Sequence, residues 1–419
     1  VEQQQIQARA IVRNIGQLVS VAQAPIAGAS GLLQVLSNAA IMVDNDGNIS
    51  WIGADQEVDE MLACSEQGHV NIVDAYGCVV TPGFVDSHTH LVFAGDRAEE
   101  FHLRREGTSY GELLRQGRGI LTTMNATRHA SSEMLLDLAM ERLASVRAHG
   151  TTTVEIKTGY GLNLEAEERC LRIINDLNCS PSLPHEHVRI IPTFLGAHSV
   201  PPEYHGRRAA YVDLVVEEML PAFAELARFC DVYCEREAFS VAESHRILTR
   251  AKELGYQLKV HADQLSPSGG SQLAAELGAV SADHLDYASD TDLEAMREAG
   301  VVATLLPGCS YTLRSPYPSA RRLLDHGLKV ALASDFNPGT SYSENMQMML
   351  GLAMSAMGMS LDEALSAATI NGARALALQD ETGSIEIGKR CELALWSIRD
   401  YHEIGYHFGT NLIQSILVL

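Results

Sequence analysis

The sequence predicts an α/β fold: a (β/α)8 TIM-like barrel with a small β-sandwich domain built from both chain ends. Three observations predict it. Eight short β-branched runs alternate with helical stretches in the middle of the chain, and strand-rich segments flank them on both sides. The length of 419 residues also exceeds the ~250 that such a barrel needs alone. The units read as 1–80 plus 383–419 for the β domain and 81–382 for the barrel.

Composition narrows the class. With 46% hydrophobic and 20% charged residues, the chain has ordinary globular usage, which excludes disorder as its main state. Lys plus Arg number 31 against 53 Asp plus Glu, a net charge of −22, so no nucleic acid and no anionic membrane is expected as partner. No apolar run approaches the ~18 residues of a membrane span. The opening VEQQQIQARA has no basic region followed by an apolar stretch, so no secretory signal is expected. Eight cysteines fall mostly inside apolar runs, as reduced thiols do, and a cytoplasmic location is expected. Cys230 and Cys234 have no second pair at zinc-finger spacing and read as core packing.

Taken in order, AAIMVDNDGNISWIG is two apolar runs around Asp46-Gly47, a hairpin signature. Beyond Thr81-Pro82-Gly83 come FVDSHTH, TTTVEIKTG, VRIIPTFLGAH, DVYCERE, QLKVHAD, SADHL, VVATLLPG and KVALASDFN, separated by helices of the type SSEMLLDLAMERLASVRAHG. After Gly383, SIEIGKRCELALWSI returns to strand character and should pair with the N-terminal strands. No internal repeat or low-complexity tract interrupts this pattern.

In such a barrel the chemistry gathers where strands end at the C-terminal face. His88 and His90 end the first run, Lys157 and Tyr160 follow the second, and His198 ends the third. Glu237, His261 and His284 close the fourth, fifth and sixth, and Asp335 closes the eighth. Residues two apart on a strand face the same way, so His88 and His90 can grip one ion. His261 and Asp335 extend this to a His3Asp set that suits zinc or iron better than calcium and leaves an open position for water. His284, beside that set, reads as a catalytic group rather than a mere hydrogen-bonding neighbour. A second His-x-His pair, His185 and His187, precedes its strand and falls on the opposite, structural face. Glu235 and Glu237 read as a structural salt-bridging pair.

VTPGFVDSHTHLVF, with HAD at the fifth strand, His284 at the sixth and SDFNPGT at the eighth, resembles the amidohydrolase superfamily. FAGDRAEEF, GTSYGEL, ATR, TTVEIKTGYGL, FLGAHSVPPEY, HADQLSPSGG, SADHL and AATINGARAL narrow the resemblance to its imidazolonepropionase family. That family opens 4-imidazolone-5-propanoate to N-formimidoyl-L-glutamate in histidine degradation. The resemblance covers the chain from about residue 81 onward, and the first forty residues match less well.

The resemblance implies His88, His90, His261 and Asp335 as metal ligands, and because the Gln264 side chain does not titrate, the proton work falls to His284 and Asp335. It implies Arg97, Tyr110, Tyr160 and His198 as substrate contacts, and Gln264, Asn337, Gly339 and Thr340 around the ring and product. Two-metal members often use a lysine on the fourth strand, and DVYCERE has none, so one zinc or iron ion per chain is expected. A homodimer acting on a small molecule is expected too. Physics supports Arg97, because a carboxylate entering a protein of charge −22 needs a local cation. Its alternative is a surface ion pair with Asp96 or Glu99.

Two departures stand out. Gln264 occupies a position where the family more often has Glu, so it can hydrogen-bond but cannot act as a base. The chain also stops at LIQSILVL without the Gly turn and final strand the family implies, so the β domain is expected to lack an edge strand. Alternatives are another cyclic amidohydrolase, a heterocycle deaminase, or a catalytically dead scaffold, and the full ligand set weighs against the last.

Overall fold

The Asp46-Gly47 turn does fold the chain back on itself, with Gly47 at φ 85° and the Asp44 carboxylate accepting from the Asp46 and Asn48 amides. The structure, a computed structural model, describes residues 8–22, 33–63, 70–108, 112, 118–179 and 188–419. Five strands open it: β1 (Ala10–Val19), β2 (Val35–Val43), β3 (Ile49–Ala54), β4 (Asn71–Asp74) and β5 (Val79–Pro82). Eight follow: β6 (Phe84–Asp86), β7 (Thr151–Lys157), β8 (Arg189–Ala197), β9 (Phe229–Cys234), β10 (Gln257–Ala262), β11 (Ser281–His284), β12 (Val302–Leu305) and β13 (Val330–Leu332). The last two are β14 (Glu392–Trp396) and β15 (Ile413–Val418). Among the described residues no helix is long and apolar enough to cross a membrane.

The two chain ends share one mixed sheet in the order β15-β14-β5-β1-β2-β3, with β4 paired to β1. β14 lies antiparallel to β5, Leu393 opposite Pro82 and Trp396 opposite Val79. Trp396 locks this junction: its buried indole N–H donates to Thr81 Oγ1 at 2.9 Å, and its ring meets Phe84 of β6 edge-on at 5.8 Å. LIQSILVL itself supplies the edge strand, because β15 pairs with β14.

Each of the eight runs gives one barrel strand, and β6 to β13 pair in parallel in chain order. The seam closes just beyond the short end strands. Asp335 N donates to His88 O at 3.0 Å and His90 N to Phe336 O at 2.9 Å, while Ser334 N reaches the Asp86 carboxylate at 3.0 Å. Barrel closure and the gathering of His88, His90 and Asp335 are therefore one event. At the opposite mouth Ala373, Leu376 and Leu378 pack on Val85, Ile191 and Phe229. Gly372 is needed there, since a Cβ would fall 2.4 Å from Val85 O. The AATINGARAL block thus plugs the barrel rather than reaching the site.

Candidate active site

Strand alternation aims Lys259 and His261 of β10, and Glu155 and Lys157 of β7, into the barrel. At its upper level the histidines meet. Nε2 of His88 and of His90 each lie 3.6 Å from Asp335 Oδ1, and Nε2 of His261 lies 3.4 Å from that of His90. All four side chains are buried, and His88 Nε2 has no hydrogen-bond partner among the described residues. An orphaned buried nitrogen costs about 1–3 kcal/mol unless something takes its lone pair.

The other ring nitrogens explain the orientation. His88 Nδ1 lies 2.6 Å from Asp283 Oδ2, and His261 Nδ1 lies 3.0 Å from Asp231 Oδ2. Asp283 accepts the hydrogen bond of His88 Nδ1 and Asp231 lies against His261 Nδ1, so each imidazole turns Nε2 inward as a donor atom, the arrangement that metal-binding imidazoles use. Burial, reinforced by neighbouring cationic groups, holds His88 and His90 well below their usual pKa and so neutral. Burial pushes the Asp335 carboxyl up to about 7. Three imidazoles and one carboxylate fit a cation of the zinc or iron kind.

Below them lies an ionic layer that sequence reading missed apart from Lys157. Lys157 Nζ sits 2.8 Å from both Glu155 and Asp231, and Lys259 Nζ sits 3.3 Å from Glu155 and 3.6 Å from Asp283 while donating to Ser87 O at 2.7 Å. All five side chains are fully buried. Burial opposes charge on Lys157, but Asp231, Glu155 and Asp283 outweigh it and raise its pKa. Asp231 is held well below the usual range against its own burial by His261 and Lys157.

The pocket above is walled by Arg97, Tyr160, His198, Gln264, His284 and Thr340 among others. Arg97 does not form the surface pair with Asp96 or Glu99. It is buried, and its Nε donates to Glu100 Oε2 at 2.7 Å, because the helix Ala98–Arg105 turns Glu100 back toward it. Glu100 in turn accepts from Gly119 N and Thr122 Oγ1. Arg97 Nη2 is buried with no partner among the described residues. Gly339 lies behind the guanidinium, where a Cβ would fall 2.3 Å from Arg97 Nη1, rather than on the pocket wall.

His198 stacks on His90 at 5.1 Å between centroids and 19° between planes, and burial pushes it down to about 3. Tyr160 rides on a loop clamped by Glu167, which accepts from the Gly159, Gly161 and Leu162 amides. Gln264 donates to Cys309 Sγ at 3.4 Å. Asn337 lines the pocket, yet its amide group is spent on the turn after Asp335, accepting from Gly339 N and Thr340 N and donating to Asp335 O. Tyr110, His185 and His187 lie outside the described residues.

Glu235 and Glu237 are not a salt-bridging pair. Glu235 is buried and holds the loop after β10, accepting from Leu265 N and Ser266 N, whereas Glu237 is exposed at the pocket rim. Backbone strain gathers here as well. His284 has φ 81° and Asp335 φ 51°, left-handed values that non-glycine residues adopt at a cost and that cluster at working sites.

Comparison with known proteins places the chain. The model of the amidohydrolase family matches residues 79–410. The imidazolonepropionase of Symbiobacterium thermophilum is 47% identical over 97% of this chain and 95% of its own length. That of Thermoanaerobacter pseudethanolicus is 48% identical over 82% of each. Among solved structures, a zinc-bound adenosine deaminase from Xanthomonas campestris superposes with a TM-score of 0.67 at 17% identity, over 99% of this chain and 92% of that one, a likeness of fold alone. With a family model spanning most of its length and relatives this close over nearly all of it, the chain belongs to the amidohydrolase family and, within it, to the imidazolonepropionases.

Proposed function

We propose that this chain hydrolyses the cyclic amide of 4-imidazolone-5-propanoate to N-formimidoyl-L-glutamate, a step of histidine degradation, with one zinc or iron ion per chain. The observation that carries the reading is the pairing of two features across one pocket: a converging His88, His90, His261 and Asp335 set, and a buried Arg97 whose Nη2 has no partner among the described residues. A ring amide at the first and a carboxylate at the second is the substrate's own layout.

Held by those four residues, the ion would supply Lewis acidity toward a carbonyl oxygen and acidify water. The chain's own groups do the rest. Asp335, with its carboxyl near 7, takes the proton of the attacking water and returns it to the ring nitrogen as the carbon–nitrogen bond breaks. His284 faces the same point and steadies the oxygen on which negative charge develops. Arg97 holds the propanoate, Tyr160 and His198 wall the ring, and Gln264 and Thr340 offer it hydrogen bonds.

The described cysteines are free and buried, which supports a reducing cytoplasm. A homodimer follows from the family resemblance, and light scattering on the purified protein tests it. The reaction is tested by offering the metal-replete enzyme 4-imidazolone-5-propanoate, hydantoins and guanine. Turnover of the first with one equivalent of metal is expected, and a preference for guanine or a hydantoin would sink the assignment.

A further inference from the structure

Cys309 lies on the short helix Pro307–Leu313 that follows β12, and it is buried. Its sulfur, a ring nitrogen of His284 and a carboxylate oxygen of Asp335 all lie within 4.8 Å of one another. This set shares Asp335 with the histidine cluster but adds a sulfur donor. The shared carboxylate has an oxygen for each side: Oδ1 is the one 3.6 Å from His88 and His90, while Oδ2 is 3.4 Å from Thr340 Oγ1. His284 makes no ring hydrogen bond among the described residues and is held by packing on His88 and His261, centroids 5.6 and 5.4 Å away. Two pocket-wall side chains, Gln264 and Thr340, hydrogen-bond the sulfur, so an ion entering the pocket reaches Cys309 once they swing aside.

We propose that His284, Cys309 and Asp335 form a second, inhibitory site for a thiophilic divalent cation such as excess zinc or cadmium. The inference rests on the hydrolytic reading of the same pocket. Sulfur with imidazole nitrogen selects soft and borderline ions over magnesium or calcium. Carboxylates shared between ions roughly 3.5–4 Å apart are an ordinary arrangement. As the metal–sulfur bond forms, the thiol proton passes to solvent and no atom changes oxidation state. The second ion ties up the His284 ring that would donate to the developing charge and the Asp335 carboxylate that would move the proton, so the doubly loaded protein is inactive.

Equilibrium dialysis against cadmium, with ultraviolet spectroscopy and the hydrolase assay, tests this on wild type, Cys309→Ser and Cys309→Ala. Wild type should bind two equivalents, show a cadmium–thiolate charge-transfer band as the second enters, and lose turnover in step with that band. Both variants should keep the first equivalent, lack the band, bind the second roughly 100-fold more weakly or not at all, and stay active in excess cadmium. Retention of the first equivalent also shows that they are folded. A second equivalent that persists undiminished in both variants overturns the site. Wild type that stops at one equivalent overturns it too and leaves the hydrolytic reading standing, whereas wild type that binds none overturns both.

Discussion

The barrel interior holds two polar layers that obey opposite rules. In the lower one, Lys157, Lys259, Glu155, Asp231 and Asp283 face one another at 2.8–3.8 Å, opposite charges in contact throughout. In the upper one, His88, His90 and His261 turn Nε2 atoms toward each other and toward Asp335, a crowding of like atoms that leaves His88 Nε2 without a hydrogen-bond partner among the described residues. The lower layer is complete within the protein and serves the fold. The upper layer offers its donor atoms to a cation. The layers are joined, because Asp231 and Asp283 each answer a lysine and a histidine, so the ionic layer fixes where the imidazoles point.

The largest effect belongs to the residue that closes the upper layer. Asp335→Asn should lower turnover by roughly 10³-fold or more, since it removes a ligand and the proton carrier together. Metal content per chain, read on the purified variant, should fall with it. A variant that keeps both metal and turnover would mean that the upper layer is not the site.

The converse change strikes stability. Lys157→Met leaves Glu155, Asp231 and Asp283 facing Lys259 alone, and breaking a buried pair from one side costs about 3–5 kcal/mol. Urea unfolding of the metal-free protein should show that loss in full. In the same experiment His90→Gln should be close to neutral, because the metal-free upper layer contributes little. Equal losses in the two variants would erase the distinction between layers.

His284→Asn comes next. It should retain the metal while kcat falls about 10²-fold, the usual loss for a positioned proton-transfer or charge-stabilising group. Near-normal kcat with metal bound would leave the chemistry to Asp335 alone.

Acid should separate the layers as well. Burial first, and then neighbouring charged groups, hold His88, His90 and His284 below 6.5 in the folded protein, whereas in the unfolded chain they titrate near 6.5. Above that pH both states are neutral there and the stability is fully present. As pH falls below it, the unfolded chain takes up protons the folded one refuses. Stability then drops by about 1.4 kcal/mol per pH unit for each imidazole kept neutral. The Tm of metal-free protein from pH 7 to 5 measures this, and a flat profile would mean that the rings take up protons alike in the folded and unfolded chain.

The upper layer was legible in the sequence and the lower one was not. His88, His90, His261, His284 and Asp335 each end a β-branched run, and a barrel brings strand ends together whatever the details of pairing. Asp283 and Asp231 sit inside such runs, where alternation separates two faces without saying which one lines the barrel. Their partners are 195 and 30 positions away, beyond any local pattern. One clue was present: a charged residue two before a strand-ending histidine, as Lys259 stands before His261, shares its inward face. Glu235 misled for a related reason, since it looked like half of a charge pair until the loop after β10 supplied the amides it holds. The seam was invisible too, because it forms beyond two three-residue strands rather than within them.

Arg97 sharpens the comparison from the pocket side, with the smallest effect. It combines both rules in one side chain: Nε is satisfied by Glu100 as in the lower layer, and Nη2 is buried without a partner among the described residues as in the upper one. A guanidinium so divided is anchored by one edge and offers the other. A carboxylate held far from the breaking bond is bound alike in ground and transition states, so Arg97→Ala should raise KM roughly tenfold with kcat little changed. Arg97→Lys should recover only part of this, because an ammonium cannot keep Glu100 and the propanoate on separate edges of one plane. Glu100→Gln should also raise KM by loosening the anchor, although Glu100 never touches substrate. If Arg97→Ala left KM unchanged while the enzyme became less stable, the guanidinium would belong with the lower layer, a part of the fold, and the propanoate would have to find its cation elsewhere.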